Sequence, residues 1–494
     1  MLETVPKNLL YRNQYLLAPG PIDCPFLHNT VRIKQSAVLY THVDLQVTEY
    51  SHNGTRLILL GDLFDHEPDH KSNREILFHL INESFLHLLE QLGRYTGRFV
   101  LFYVRGSDLK VVHDTMASMK IYYCMTGDGT WCASQPHLLA KATGKEQTSD
   151  ESKLSFYSSD RYIQLANSNV GDTTRYDGIR QVLPNHFFDA SSCIAIRYWP
   201  NENQRKESLS IRECAALTAP MIKGYMENIA SRYRVMLPVT AGKDSRTLLA
   251  AATDIRHELF FYVNRTERHS EKNKDIALPR KLFDQLGLDF HVLDLRSFKV
   301  DPAFESVYFQ NNPYASKTYL PLIYNYYLNF SDRVNLPGNV ATGSAWFYPT
   351  RRKKLDGAML AKENGVEQFR FAVENYASWL AGCEGVCSQT GFHPAELFYW
   401  EERLGNWGTQ IQLEKDIAQN DINPFNSREL VRLILSVQPD YAIELGRYPL
   451  TSATIKLLWP EVLKVPINPD NMNTALALLW DLGLQGFFYA HKYR

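Results

Sequence analysis

The residues whose types and spacing carry the most chemistry lie in one short stretch, Met236-Leu-Pro-Val-Thr-Ala-Gly-Lys-Asp-Ser-Arg-Thr-Leu-Leu-Ala250. An apolar run stops at a turn of small residues and resumes as a helix that opens on Asp244, Ser245 and Arg246. Ala241 and Gly242 let the backbone approach an anion, and the Thr240 and Ser245 hydroxyls can donate to phosphate oxygens. The first-turn amides of the following helix point at the same spot, where the helix dipole is positive. Lys243 adds a mobile cation and Asp244 a carboxylate for Mg²⁺, which a nucleotide-cleaving site needs against phosphate charge. The stretch is not a Walker A loop: Leu237 stands where its first glycine belongs, and Asp244 replaces its Ser/Thr. An ordinary strand-to-helix turn could carry the same six residues, so the flanking pattern has to decide.

Glu258-Leu-Phe-Phe-Tyr-Val-Asn264 reads as a second buried strand, Lys274 to Leu286 as an amphipathic helix stopped by Gly287, and Asp289-Phe-His-Val-Leu-Asp294 as a third strand. Strand, loop, helix, strand, helix, strand is a parallel doubly wound unit, whose ligand crevice lies at the strands' carboxyl ends, where the Thr240 loop sits. In this setting Thr240-Ala-Gly-Lys-Asp-Ser245 resembles the PP-loop of N-type ATP pyrophosphatases, usually Ser-Gly-Gly-x-Asp-Ser. The resemblance implies that Thr240, Ala241, Gly242, Lys243, Asp244, Ser245 and Arg246 hold the pyrophosphate of ATP, with Asp244 as the Mg²⁺ ligand. Asn264, ending the second strand, joins the expected nucleotide contacts.

Composition bounds the rest. At 494 residues and 45% apolar content the chain can bury large cores, and its length suggests two or three domains. A net charge of −1 gives no field that draws nucleic acid or anionic lipid. Seven cysteines (Cys24, Cys124, Cys132, Cys193, Cys214, Cys383, Cys387) are scattered with no C-x-x-C pair, which reads as reduced thiols in the cytosol. Cys383 and Cys387 fit one helix face, but no further Cys or His at ligand spacing makes a zinc site with them. There is no signal-like start and no run near the ~20 apolar residues of a membrane span, so the expectation is a cytoplasmic protein.

From about Leu9 to Trp199 short apolar or alternating runs, among them Arg56-Leu-Ile-Leu-Leu60, Arg98-Phe-Val-Leu-Phe-Tyr-Val104 and Leu109-Lys-Val-Val112, are separated by Gly, Asp and Asn turns, with one helix expected over Asn73 to Leu92. Gly61-Asp-Leu-Phe64, Tyr95-Thr-Gly-Arg-Phe99, His113-Asp114 with Tyr122-Tyr123, Ala133-Ser134 and Pro184-Asn-His186 follow the order seen in the glutaminase domain of asparagine synthetases, and this half of the chain resembles that domain. In that family a cysteine exposed by loss of the initiator Met is the nucleophile. Here Leu2 follows Met1, and Cys24 lies well inside the chain without an amine of its own. The expectation is a catalytically silent relative, as in β-lactam synthetases, which keep both domains and use ATP to close an amide. The fold class expected is an α+β N-terminal Ntn-type β-sandwich domain over residues 1–205. An α/β doubly wound parallel-sheet domain of PP-loop (HUP) type with a helical C-terminal extension should fill 206–494.

The linker is placed at Asn201 to Ser210, and a long amphipathic helix runs from Ile211 to Tyr233. The loop after the second strand carries Arg265, Arg268 and His269; Arg265 and Arg268 are candidates for phosphate or carboxylate contact, with a solvated polar loop as the alternative. Asp275 opens the next helix, where the family often has an acid near the nucleotide and where dipole pairing would serve equally. Val334-Asn-Leu-Pro-Gly-Asn-Val-Ala-Thr-Gly343 resembles the family's second Gly-rich signature, which makes Gly338 a nucleotide contact. Thr342 stands at its acidic position, and no Asp or Glu occurs between Val334 and Tyr348. Phe398, Trp400 and Trp407 are read as packing, Arg403 and Arg428 as anion contacts. The resemblance implies a late lysine at the acyl-adenylate, with Lys456 and Lys464 as candidates. The function expected is ATP-dependent, Mg²⁺-dependent carboxylate adenylation followed by amide formation. The partners are a small-molecule or peptide carboxylate and an amine or ammonia, with no nucleic acid, no membrane, and a homodimer held open. The alternatives are a non-catalytic regulatory relative and a PP-loop enzyme of sulfur or nucleobase chemistry.

Overall fold

The computed structural model describes residues 9–24, 27–33, 37–267, 270–296, 298–338, 354–437 and 448–469. The first half of the chain is two antiparallel sheets face to face. Its strands are β1 (Tyr15–Ala18), β2 (Asn29–Arg32), β3 (Val38–Thr41), β4 (Val47–His52), β5 (Thr55–Phe64), β6 (Thr96–Arg105), β7 (Asp108–His113), β8 (Tyr122–Thr126), β9 (Gly129–Ala133), β10 (Arg180–Gln181), β11 (His186–Asp189) and β12 (Ile194–Arg197). They are ordered β10-β8-β9-β1-β3-β2 in one sheet and β12-β11-β7-β6-β5-β4 in the other. The period-two alternation sorts side chains to opposite faces. Ile58, Leu60, Val100 and Phe102 meet Tyr15, Leu17 and Leu39 between the sheets. Leu57, Leu59, Leu101 and Tyr103 face outward onto α1 (Asn73–Leu80) and α2 (Phe85–Gln91). On the other outer face Leu16, Ala18 and Tyr122 pack on α3 (Pro136–Thr143). The single helix expected over Asn73 to Leu92 is broken in two, because Ser84 caps a new start by accepting from the His87 amide.

Two short helices, α4 (Glu151–Tyr157) and α5 (Asp160–Gln164), precede the last strands of the sandwich. The second half begins with α6 (Ile211–Arg232), started by a Ser210–Glu213 capping box. A four-stranded parallel sheet follows, β13 (Val235–Pro238), β14 (Phe260–Arg265), β15 (His291–Asp294) and β16 (Val334–Asn335), in the order β15-β14-β13-β16. Parallel strands are buried on both faces. Leu237 and Phe261 lie with α6, α7 (Lys243–Ala251) and α8 (Lys274–Leu286), whereas Met236 and Tyr262 lie with α9 (Pro302–Asn311) and α10 (Leu320–Phe330). α8 stops at Gly287, which takes the left-handed φ of 65°. The remaining helices are α11 (Gly357–Glu363), α12 (Arg370–Thr390), α13 (Pro394–Phe398), a π-helix at Tyr399–Gly408, α14 (Thr409–Lys415), α15 (Arg428–Leu435) and α16 (Pro449–Leu458). Cys383 and Cys387 share the buried face of α12, and none of the seven cysteines is in a disulfide. Among the described residues no helix is long and apolar enough to cross a membrane.

The halves share one core, in which Phe64, Phe156 and Trp199 of the first pack with Ile222, Trp400 and Phe425 of the second. Buried polar pairs cross it as well. Arg98 meets both oxygens of Asp416, and Arg197 forks onto Glu401 at 2.5 and 2.7 Å. Next to Glu401, Glu402 makes no ion pair among the described residues; its Oε2 accepts from the Gly171 amide at 2.9 Å and from Asn406. Burial, with Glu401 and Asp172 nearby, pushes the Glu402 carboxyl up to about 8.

The folded state therefore holds this proton above the ordinary glutamate pKa of about 4.3, and stability falls as pH rises through about 8, by up to about 1.4 kcal/mol per pH unit. Glu402→Gln cannot ionise and should flatten that fall. Melting temperatures of wild type and variant should agree near pH 4 to 5 and separate in the variant's favour toward pH 8 (about the two pKa limits); parallel curves would assign the titration to another group.

Candidate functional site

The strand order places a topological switch point between β13 and β16. β14 leaves β13 on one side and β16 on the other, so the loops at their carboxyl ends diverge and open a crevice there. The Thr240 loop is the β13 side of this crevice, and Gly338 is on the β16 side. A Cβ on Gly338 would come within 3.2 Å of the Ser245 amide and 3.3 Å of the Asp244 Cβ, so the two loops touch and glycine leaves the space before the first turn of α7.

The loop holds its own shape. The Thr240 amide donates to Ser245 Oγ at 3.1 Å, the Gly242 amide to Thr240 Oγ1 at 3.0 Å, and the Ala241 amide to Asp275 Oδ1 at 3.1 Å. Asp275 is itself set by Asn273, whose side chain accepts from the Asp275 amide and caps α8. Many helices of this protein start on a Ser, Asp or Asn that caps them. α7 starts on Gly242, which has no side chain to offer. Its N-terminal amides and dipole are thus turned to the crevice without a built-in acceptor from the cap residue, the arrangement that suits a phosphate. Thr240, Lys243, Asp244 and Ser245 are half-buried, reachable from solvent yet fixed.

The chain beyond α16 braces the loop from behind. The Asn468 amide donates to the Ala241 carbonyl at 3.0 Å, and Tyr448, over which the Lys243 ammonium sits at 5.3 Å, accepts from the Asn468 side chain. Arg246, expected at the nucleotide, is instead fully buried: it donates to the carbonyls of Thr240 and Val462, and burial lowers its pKa to about 10. It ties the loop to the turn after α16. Burial, with the charge of Asp244, raises the Tyr399 phenol at the start of the π-helix to about 12.

Asn264 donates to Tyr326 at 2.8 Å in a buried chain through Tyr262, Asn335 and Asp421 to Lys415. Its Oδ1 has no partner. Arg265 is paired with Glu271 and with Asp294. Lys456 and Lys464 are both exposed, Lys456 on α16 and Lys464 in the turn after it. Arg428 is buried, its guanidinium on the Leu89 carbonyl and the Tyr198 ring and hydroxyl. Arg268, His269 and Thr342 lie outside the described residues. Sequence reasoning missed Tyr399, Tyr448 and Asn468. Tyr399 adjoins a stretch read as core, and the other two are far along the chain in a segment with no motif. The roomiest cleft among those described, about 1210 Å³ at His66, Arg94, Tyr198 and Arg428, shares no residue with the loop.

No protein-family model matches this sequence, and no curated protein matches it. Among solved structures the chain is similar to glutamine phosphoribosylpyrophosphate amidotransferase from B. subtilis complexed with ADP and GMP, at 11% identity over 61% of this chain and 88% of that one, with a TM-score of 0.25. It is similar to the allosteric regulatory enzyme of purine biosynthesis at 12% identity over 63% and 76%, again at 0.25. Glutamine-dependent NAD⁺ synthetase from Acinetobacter baumannii, in complex with ADP, follows at 11%, 49% and 57%, at 0.20. Likenesses this faint carry no argument about this chain.

The crevice makes two substitutions informative. Gly338→Ala puts a methyl against the first turn of α7 and should weaken nucleotide binding about tenfold, roughly 1.4 kcal/mol, while leaving the melting temperature nearly unchanged. Asp275→Ala removes the acceptor that holds the Ala241 amide, and should weaken it comparably. Calorimetric titration with ATP and Mg²⁺ reads both. Unaltered affinity in both variants would detach the crevice from nucleotide binding.

Proposed function

We propose that this chain is an ATP-dependent, AMP-forming enzyme that activates a carboxylate and joins it to an amine or ammonia as an amide, without a glutaminase of its own. The observation that carries the reading is the Thr240–Ser245 loop: a self-bonded turn at the switch point, leading into a helix whose cap residue offers no side chain, with Asp244 in its first turn. In this reading the α7 amides and Ser245 receive the pyrophosphate. Lys243 offsets its charge, and fixed geometry supplies effective concentration for attack of the carboxylate on the α-phosphorus. Mg²⁺, when bound, shields phosphate charge; Asp244 would hold it, and such an ion keeps several waters and needs only one or two protein carboxylates.

The silent first domain is supported from two sides. The chain just ahead of β1 is bound into the second half. The Tyr11 amide donates to Asn311 Oδ1 at 2.6 Å, Arg12 to the Asp416 carbonyl, and Asn13 to Asn420 at 2.6 Å. Cys24 is buried in the apolar cluster of Leu16, Ala18 and Leu27. One observation favours a second reading, a binding relative without turnover: the Ala241 amide, which a phosphate could use, is taken by Asp275.

Incubation with ATP, Mg²⁺ and a panel of carboxylates, read as AMP and pyrophosphate, separates the two. AMP formation is expected, and Asp244→Asn or Ser245→Ala should each lower it about ten- to a hundredfold, as loss of one charge-assisted contact of roughly 1.5–3 kcal/mol requires. Full activity in both variants removes the loop from the mechanism. Nucleotide binding without AMP selects the second reading. Glutaminase activity should be nil, with Cys24→Ala indistinguishable from wild type; cysteine-dependent glutamate release would overturn the silent domain.

A further inference from the structure

The cleft of about 1210 Å³ lies on the seam between the halves: α2 and β12 line it from the first, α12 and α15 from the second, and residues 198–204 join them. Four arginines line it, and the fold neutralises three. Arg94 is paired with Asp65 at 3.3 Å and Glu67 at 3.4 Å, Arg197 with Glu401, and Arg432 with Glu207 at 2.5 Å. Arg428 meets no carboxylate among the described residues. It is only 7% exposed, and its partners are neutral: the Leu89 carbonyl at 3.4 Å, the Tyr198 hydroxyl, and the Tyr198 ring at 4.6 Å. A guanidinium keeps its charge at any pH a protein meets, and a buried charge with no counter-charge is costly.

These contacts use one N–H on each terminal nitrogen of Arg428 and leave one on each, the pair that a forked oxyanion takes. Its Nε is buried without a partner, and so are His66 Nδ1 and Arg94 Nε of the same cleft. Incompletely paired polar atoms gathered around one cleft call for something that enters it. The acids of the cleft leave the charge in place. Glu90 and Glu202 are exposed, Glu67 is held by Arg94, and Glu429 is one residue along α15, about 100° around the helix. Leu86, 68% exposed, lines the cleft with Phe187 and Val386, so apolar surface is available beside the guanidinium.

We propose that this cleft is a second ligand site, separate from the nucleotide crevice, for a small organic oxyanion, a carboxylate or phosphate monoester. Arg428 takes two of its oxygens, and its apolar body lies against Leu86, Phe187 and Val386. The inference does not rest on the adenylation reading, because the cleft shares no residue with the Thr240 loop.

Calorimetry on the full chain at fixed ionic strength, with benzoate, phenyl phosphate and inorganic phosphate as probes, tests it. One or both organic probes should bind, which of them naming the oxyanion, and inorganic phosphate should bind more weakly. Arg428→Gln should weaken the organic probe roughly tenfold or more, and Arg428→Lys, which keeps the charge but loses the fork, should fall between. Gly338→Ala, which alters only the nucleotide crevice, should change that affinity by less than about twofold. Gly382→Phe adds bulk to the cleft where a Cβ meets nothing within 4 Å, and should weaken the organic probe without disturbing the fold; it decides the matter if Arg428→Gln does not fold. No binding of either organic probe, an affinity unmoved in Arg428→Gln or in Gly382→Phe, or an equal loss in Gly338→Ala would each overturn the site. Inorganic phosphate bound as tightly as the organic probes would overturn its apolar half.

Discussion

The fork of Arg197 on Glu401 is the joint on which the arrangement of the second half depends. Glu401 is fully buried and accepts from four donors, both Arg197 nitrogens, Asn185 at 3.0 Å and Trp379 at 2.8 Å. Burial alone would push its pKa up; Arg197 outweighs it, and the carboxyl is held below its ordinary range. Glu402, one residue on and in no ion pair among the described residues, goes the opposite way. Two adjacent buried carboxyls thus have their pKa values moved in opposite directions, and only one of them meets a guanidinium. A buried ion pair of this kind adds little net stability over an apolar packing, but losing one partner costs about 3–5 kcal/mol. Its consequence is orientation. The pair joins an edge strand of the sandwich, β12, to a π-helix of the other half, and so fixes how that helix is rotated.

Such contacts give the first half of the chain a structural role in the second. The chain ahead of β1 is bonded to Asn311, Asp416 and Asn420, β6 is bonded through Arg98 to Asp416, and Asn426 bridges to Asp114 at 2.8 Å. Each contact uses a polar group at the rim of a sheet to satisfy a buried polar group of the second half, which would otherwise pay its desolvation. Removing the sandwich would strand Glu401, Asp416 and Asn426 together. The interior of the second half therefore relies on donors and acceptors that the sandwich supplies.

How far the sequence spoke follows from where each signal resides. The loop, its three flanking elements and the Gly287 stop were legible because small residues, apolar period and a C-terminal glycine act within a few positions of one another. Asp275 was legible only as one of two readings; the bond from the Ala241 amide, 34 positions away, decides that it supports the loop. Arg246 was misplaced. Its neighbours in sequence face the crevice, but one further residue along α7 turns the side chain into the core, where two carbonyls receive it. Lys456 and Lys464 were chosen by position alone, and both face solvent. Trp407, expected to pack, is half-buried and lies under the Arg403 guanidinium.

The same reasoning explains why the loop can be rigid before any ligand arrives. A turn of small residues has many conformations to lose on binding an anion, and that entropy would be subtracted from affinity. Here Ser245, Thr240 and Asp275 occupy three consecutive amides, and Arg246 and Asn468 occupy the carbonyls of Thr240 and Ala241. Bonds that remove possible phosphate donors also fix the remaining ones, the amides at the head of α7. The loop thus gives up contact number for preorganisation. The segment that completes this, from Tyr448 to Asn468, lies more than 200 residues from the loop, so the loop's bracing depends on contacts between parts of the chain distant in sequence.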